Sequence, residues 1–464
     1  MTPLEAELLD FLLPAPGAVW TPAQTQAFLD QKGTRSAVYL TVGLLIRNQQ
    51  SDAARAASVL ELLVGLQKRE PGLWLGVWPG DNGTTGRTLD HNWREFIGVG
   101  LIVARERYGK LLPKALIEKI NEALLVAAEG AVQRNVSPEY TNIALMSAFL
   151  LEWVGAKRGK PEIAAKGAEK ARQVAVLFNQ YQTFIEDNSP TYGGVDAMGL
   201  ALWRELSPSP ESKKAASTME ASFWRDTATL YHAGLRNLCG PFTRAYGMDM
   251  VQYTAITGVA ILLLTQDKKT APAPSDWRNR SFEWAYVPMF LALGLRCPPD
   301  VLRHFKAFDK PRRLERKVPR AGKIYPVQCV LEKTWMMGAT TGLTRAWEQH
   351  APGTIHWRLP GGTTGWLLVH GTNGAEATIV GDSLQIQLPK RSGERLRLLL
   401  HAPGCALGGP TWNLNGLRVK LETALGEKSM AVVTDTHFGK VLEVSWALPA
   451  NLPSSTILTL TVVK

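Results

Sequence analysis

Over the first ~300 residues, apolar side chains recur at three- and four-residue spacing, the period of amphipathic helices. RSAVYLTVGLLIRN, AARAASVLELLVGLQK, ALIEKINEALLVAAEGAVQR and TNIALMSAFLLEWVGAKRG carry it, with Gly, Pro, Asn and Ser between them. The pattern then changes. TIHWRL, TGWLLVH, ATIVG, SLQIQL, LRLLLHA, GLRVKLETAL, SMAVVTDT, KVLEVSWAL and STILTLTVV are short, rich in β-formers and bounded by turn residues. They predict stacked antiparallel sheets or a β-sandwich. The switch falls in the basic, proline-containing run KPRRLERKVPRAGK, which reads as a solvated linker. The expected fold is therefore multidomain α and β. It has a helical domain over 1–310, a linker over 311–325 and an antiparallel β-sheet domain over 326–464.

Four polar clusters interrupt the helical half, beginning at Asp90 (DHNWRE), Ser137 (SPEYTN), Asn188 (NSPTYGG) and Gly240 (GPFTRAYGMD). They recur roughly every 50 residues, the length of two helices with their connections. Clusters repeating once per helical hairpin share one end of successive hairpins. In a ring of hairpins, an α/α toroid, that end is one mouth, and the clusters converge on one cleft.

Each cluster carries candidate chemistry. His91, Arg94 and Glu95 fall at i, i+3 and i+4, so one helical face would hold all three. The competing reading is a structural His91–Glu95 pair; a metal reading lacks a second ligand pair. SPEYTN reads as a helix start, with Ser137 as N-cap and Pro138 in the first turn. Tyr140 then lies at the positive end of a helix dipole, which favours a phenolate, with Asn142 placed to bind a carboxylate. The bland alternative is that Tyr140 packs and Asn142 caps. NSPTYGGVD sets Asn188 and Tyr192 beside two glycines after a helix ending near Glu186. DTATLYHAGLRNL reads as helix, placing His232 and Arg236 on one face, with Arg244 and Tyr246 in the loop beyond Gly240-Pro241.

Bulk properties narrow the partners. A chain of 464 residues has room for two domains. A net charge of +11 favours acidic partners. The basic residues are dispersed, however, and no zinc-finger, helix-turn-helix or RNA-binding signature accompanies them, so nucleic acid is not expected. The fifteen Trp suit sugar stacking as well as a large core. The four Cys lie far apart without a CxxC pair, so no metal or redox motif is read, and Cys239 reads as a buried structural thiol. MTPLEAELLDFLLPAPG lacks a basic n-region, and VAILLLT at 259–265 is too short to span a bilayer. A cytoplasmic location without membrane contact is expected, or secretion if a leader precedes these residues.

A reaction needing Arg, His, Asn and Tyr together is removal of the proton α to a uronate carboxylate. The carboxylate must be neutralised, as in an oxyanion hole. A Tyr or His then takes the C5 proton, and another protonates the leaving glycosidic oxygen. Neither water nor a cofactor is required. The residues that fit are His91, Tyr140, Asn142, Tyr192, His232 and Arg236 for catalysis. Arg94, Asn188, Arg244 and Tyr246 fit substrate binding; no metal ligand is expected. The rival is glycoside hydrolysis by two carboxylates, with Asp90, Glu139, Glu186, Asp187, Asp196 and Asp249 as candidates. A non-catalytic protein that binds acidic glycans is the third reading.

HNWREF, EYTNI, NSPTYGGVD and LYHAGLRNLCGPFTRAYGMDM resemble the toroid-type polysaccharide lyases, most closely the L-rhamnose–α-1,4-D-glucuronate lyases. The resemblance covers mainly the helical domain. It implies exo-type elimination at a rhamnose-capped glucuronate of an acidic oligosaccharide or polysaccharide. The positions it marks are His91, Tyr140, Asn142, Asn188, Tyr192, His232, Arg236, Arg244 and Tyr246.

Overall fold

The computed structural model describes residues 1–80, 89–274, 280–320, 323–342, 348–389, 394–449 and 456–463. Helices fill the N-terminal half and antiparallel sheets most of the C-terminal half. The chain forms two compact units. The first comprises residues 1–182, 194–222 and 273–297; the second comprises 183–193, 223–272 and 298–464.

In the first unit two kinds of helix alternate. Thr34–Arg47, Trp93–Tyr108 and Thr141–Lys157 are enclosed over most of their length, as is most of Tyr192–Leu206. Between them, Asp52–Gly65, Lys114–Arg134 and Pro161–Tyr181 bury one stripe and expose the rest. An all-round apolar helix needs neighbours on every side, whereas an amphipathic one can close the outside. Helices 141–157 and 161–181 pack closely because Gly167 presents no side chain. A Cβ there would lie 2.5 Å from the Glu152 backbone nitrogen. At the N-terminus, Pro3–Leu12 and Pro22–Lys32 each start on a threonine capping box with proline in the first turn.

The second unit holds fifteen strands among the described residues. A short hairpin comes first, β1 (Tyr231–His232) with β2 (Asn237–Leu238). An eight-stranded sheet is built from β3 (Arg312–Arg320), β4 (Lys323–Leu331), β5 (Trp335–Thr340), β6 (Gly353–Arg358), β7 (Thr364–Val369), β10 (Arg395–His401), β13 (Lys428–Asp435) and β14 (Gly439–Ala447). Its order is β13-β14-β10-β7-β6-β5-β4-β3. A five-stranded sheet has the order β11 (Thr411–Asn413), β12 (Arg418–Thr423), β15 (Leu458–Val463), β9 (Ser383–Gln387), β8 (Glu376–Val380). Every pairing is antiparallel. Both sheets contribute to one apolar core, with Trp357, Leu367 and Leu398 from the first and Leu384, Val419 and Leu460 from the second.

Two expectations are corrected. The stretch read as a linker, 311–325, contains all of β3 and the start of β4. Its arginines misled the reading, because Arg312, Leu314, Arg316 and Val318 alternate as the more buried positions of a strand. Arg312 reaches the carbonyls of Thr229 and Tyr231, and Arg316 bridges Asp187 and Asp226. The helix expected through DTATLYHAGLRNL ends at Leu230, and the chain turns back as the β1–β2 hairpin.

No described helix is long and apolar enough to cross a membrane. Residues 259–265 lie in the ten-residue helix Ile256–Thr265.

Candidate functional site

In the first unit, the starts of two enclosed helices come together. Helix 93–108 begins just after His91 and Asn92, and helix 141–157 begins just after Tyr140. The Asn92 side chain donates from Nδ2 to the Tyr140 hydroxyl at 3.0 Å. Its Oδ1 accepts from Arg134 Nη2 at 2.8 Å, which fixes the amide's orientation. Arg134 also pairs with Glu95 at 3.2 Å. The His91 ring stacks on Trp74, with centroids 4.2 Å apart and planes 12° apart. Its Nδ1 is enclosed and makes no hydrogen bond among the described residues. Burial, then Arg134 and Arg94, lower the His91 pKa, so the ring is neutral near pH 7.

The loop that carries Trp74 is held from below. Arg94 is buried and donates from Nε and Nη2 to the Leu75 carbonyl at 2.9 and 2.7 Å. Gly130 permits this approach: a Cβ there would stand 2.0 Å from the Leu75 oxygen. Arg94, expected to bind substrate, therefore positions Trp74. His91 precedes its helix rather than sharing a face with Arg94 and Glu95, and Glu95 pairs with Arg134. Ser137 does not cap helix 141–157. It closes a turn with Tyr140, whose N–H donates to the Ser137 carbonyl. Asn142 is enclosed in the helix's first turn.

Glu95 leaves a signature in pH. Burial raises its carboxyl to about 7, against the pull of Arg134 and Arg94. A carboxyl raised on folding holds its proton more firmly in the native state than in the unfolded one. It therefore adds stability in acid, and that contribution is lost as pH rises from the ordinary carboxylate range through 7. The difference is on the order of 3 kcal/mol for a shift of this size. Denaturant unfolding of Glu95→Gln against the parent should show the parent losing stability relative to the variant between pH 5 and 7.5. Parallel curves would contradict this account.

The second unit brings together Tyr192, Arg244 and Tyr246. Arg244 lies over the Tyr192 ring, 4.0 Å from its centroid, and donates to the Tyr246 hydroxyl at 3.1 Å. It also pairs with Glu186 at 3.1 Å and donates to Gln349 Oε1 at 3.3 Å. The Tyr192 and Tyr246 hydroxyls are 3.2 Å apart, and burial raises the Tyr192 pKa, keeping that phenol protonated. The His437 ring meets Tyr246 edge-on at 5.4 Å. Asn188 is in the left-handed region and spends its Nδ2 on the carbonyls of Cys239 and Pro241, which makes it a loop clamp.

His232 and Arg236 do not share a helical face. His232 is fully buried in β1 and stacked on Phe308 at 4.0 Å. Its Nδ1 accepts from the Leu235 N–H, so Nε2 carries the proton it donates to the Glu332 carbonyl. Burial lowers its pKa to about 4. With both nitrogens committed, His232 is a structural histidine. Arg236 lies in the hairpin turn at positive φ, within 3.8 Å of Asp267. Cys239 is a buried free thiol, as expected. Among the described residues, no group of His, Cys, Asp and Glu is arranged to hold a metal.

A family model described as Domain of unknown function (DUF8769) matches residues 17–293. The chain belongs to this family. The matched span carries Trp74, His91, Asn92, Arg134, Tyr140, Tyr192, Arg244 and Tyr246, while Gln349 and His437 lie beyond it. No curated protein matches the chain.

Sequence reading missed Trp74, Asn92 and Arg134. Asn92 stands inside HNWREF, but helical spacing from His91 pointed past it. Arg134 ends the preceding helix and is brought in only by the helical hairpin.

Proposed function

We propose that the protein is a carbon–oxygen lyase that cleaves a glycosidic bond at a glucuronate by β-elimination. Its substrate in this reading is an acidic oligosaccharide or polysaccharide. The observation that best supports the reading is the Asn92–Tyr140 hydrogen bond, oriented by Arg134 and set beside a neutral His91. Asn92 and Arg134 offer N–H donors to a uronate carboxylate, as an oxyanion hole does. His91 and Tyr140 share the two proton transfers. The C5–H bond breaks to the base, its electron pair becomes the C4=C5 double bond, and the C4–O bond breaks. The departing oxygen takes a proton, leaving a 4,5-unsaturated uronate. Trp74 supplies an indole beside the site.

The likeness to toroid-type lyases, and to those acting on rhamnose-capped glucuronate, belongs to this reading. So does an incomplete α/α toroid for the helical unit, which the alternation of enclosed and amphipathic helices supports. Hydrolysis has less behind it. Asp90 accepts from the Asn92 N–H, Glu186 is paired with Arg244, Asp187 with Arg316, and Asp249 is buried against Asn237. Four of the six candidate carboxylates are thus engaged within the fold.

The test is incubation with uronate polymers and rhamnose-capped glucuronate glycans. Cleavage should bring the ultraviolet absorbance of an unsaturated uronate. New reducing ends without that absorbance would establish a hydrolase, and binding without turnover a glycan-binding protein.

A further inference from the structure

A cavity of about 290 Å³ in the first unit lies between the end of helix 114–134, the turn leading to Tyr140 and helix 161–181. Asn135, Ser137, Lys166, Glu169, Lys170 and Gln173 are its polar lining. Lys170 is 4% exposed. Its ammonium donates to Asn135 Oδ1 at 3.1 Å and to the Val136 carbonyl at 2.5 Å. Both acceptors are neutral, and no carboxylate lies within ion-pair distance of Lys170 among the described residues. Glu169 is engaged by Lys166 at 3.6 Å. A lysine ammonium has three protons to donate, and two are used here.

Burying a charge without a counter-charge is costly, and the usual remedies are pairing or loss of the proton. Burial does lower the Lys170 pKa, with Glu169 opposing. The cavity offers the other remedy, since it has room for an oxyanion beside two lysines, two amides and a hydroxyl, with the Glu169 carboxylate also in the lining but engaged by Lys166. We propose that this cavity binds a small oxyanion, with Lys170 as its counter-charge. The chemistry fits equally the carboxylate of an acidic sugar and a free phosphate or sulfate. The inference does not depend on the lyase reading. Because Lys170 holds the Asn135 side chain and the Val136 carbonyl, just ahead of the turn into Tyr140, an occupied cavity would stiffen the approach to that residue.

The test is thermal unfolding of the whole chain with sodium phosphate, sodium sulfate or sodium glucuronate, each against sodium chloride of equal ionic strength. A ligand that binds only the folded state raises Tm as its concentration rises. Phosphate and sulfate also raise Tm generally by exclusion from the surface, so the gain that counts is the part lost when the site is altered. Such a gain with phosphate or sulfate supports the proposal with a free anion as ligand, and one with glucuronate alone supports it with a sugar carboxylate. Two variants localise the effect. Lys170→Met should abolish the gain. Ser137→Asp supplies a carboxylate at an exposed turn position that still caps the Glu139 N–H. It should raise Tm without ligand and abolish the response to it, so the proposal stays testable if Lys170→Met fails to fold. A gain that is the same in the parent, Lys170→Met and Ser137→Asp, or no gain in the parent, overturns the proposal.

Discussion

Arg316→Ala is expected to lower the unfolding free energy by about 3–5 kcal/mol, the range for breaking a buried ion pair from one side. The Arg316 side chain sits in β3 and donates from Nη2 to Asp187 and Asp226, at 2.8 Å in each case. Asp187 is also held by the Thr183 hydroxyl, and its carbonyl accepts from Thr243. The triad therefore fastens the 183–193 segment, which brings Glu186, Asn188 and Tyr192 to Arg244. Without Arg316, the buried Asp187 and the partly buried Asp226 are left with no cation between them. Burial already raises Asp226 to about 6 with Arg316 beside it, and removal of the guanidinium raises it further. The deficit should therefore be largest near pH 8 and shrink towards pH 4, where Asp226 takes up its proton. Adding Asp187→Asn and Asp226→Asn to Arg316→Ala should recover most of the loss, because no charge then stays unpaired. Denaturant unfolding at the two pH values checks both points. An equal deficit at both would mean that lost packing, rather than charge, accounts for it.

Arg316 also shows where the sequence was legible and where it was not. The period-two pattern from TIHWRL to STILTLTVV announced its strands, because the side chains that alternate there are apolar. The same alternation in RRLERKVPR was hidden, because arginines occupy two of the four inward positions, Arg312 held by main-chain carbonyls and Arg316 by carboxylates, all far away in sequence. The helices 34–47, 52–65, 114–134 and 141–157 followed from their apolar period. The helical face expected from His91 and the helix start expected at Ser137 did not hold, since turns at Asp90–Asn92 and Ser137–Tyr140 place the two starts a few residues later. That displacement separated His91 from Arg94 and Glu95 and made Asn92 the partner of Tyr140. His232 and Arg236 were misplaced for a related reason. Helical spacing was carried across Tyr231, where the chain instead turns back as a hairpin with Arg236 in the left-handed region. The pairing of Arg244 with Tyr192 and Tyr246, by contrast, brings together residues already singled out by type.

Tyr140→Phe should reduce turnover of a cleavable glucuronate glycan by about 10²–10⁴-fold, the usual value of one positioned proton-transfer group. The substitution removes one oxygen and leaves the ring. The Asn92 amide loses an acceptor but keeps Arg134, so stability should change by only about 1 kcal/mol. A fall in kcat with an unmoved melting curve would thus separate chemistry from folding. Asn92→Ala acts differently. It removes the donor to the phenol and a donor to the carboxylate, so both KM and kcat should suffer. His91 adds a pH test. A neutral imidazole is required to accept the C5 proton, and burial with Arg134 and Arg94 lowers its pKa. Activity should hold down through the ordinary histidine range and fall only in more acidic solution. Arg134→Met removes one of those cations, so the acid limb of its kcat/KM profile should move to higher pH. If Tyr140→Phe turns over like the parent, Tyr140 carries no proton, and the Asn92–Tyr140 pair is only a brace between two helix starts.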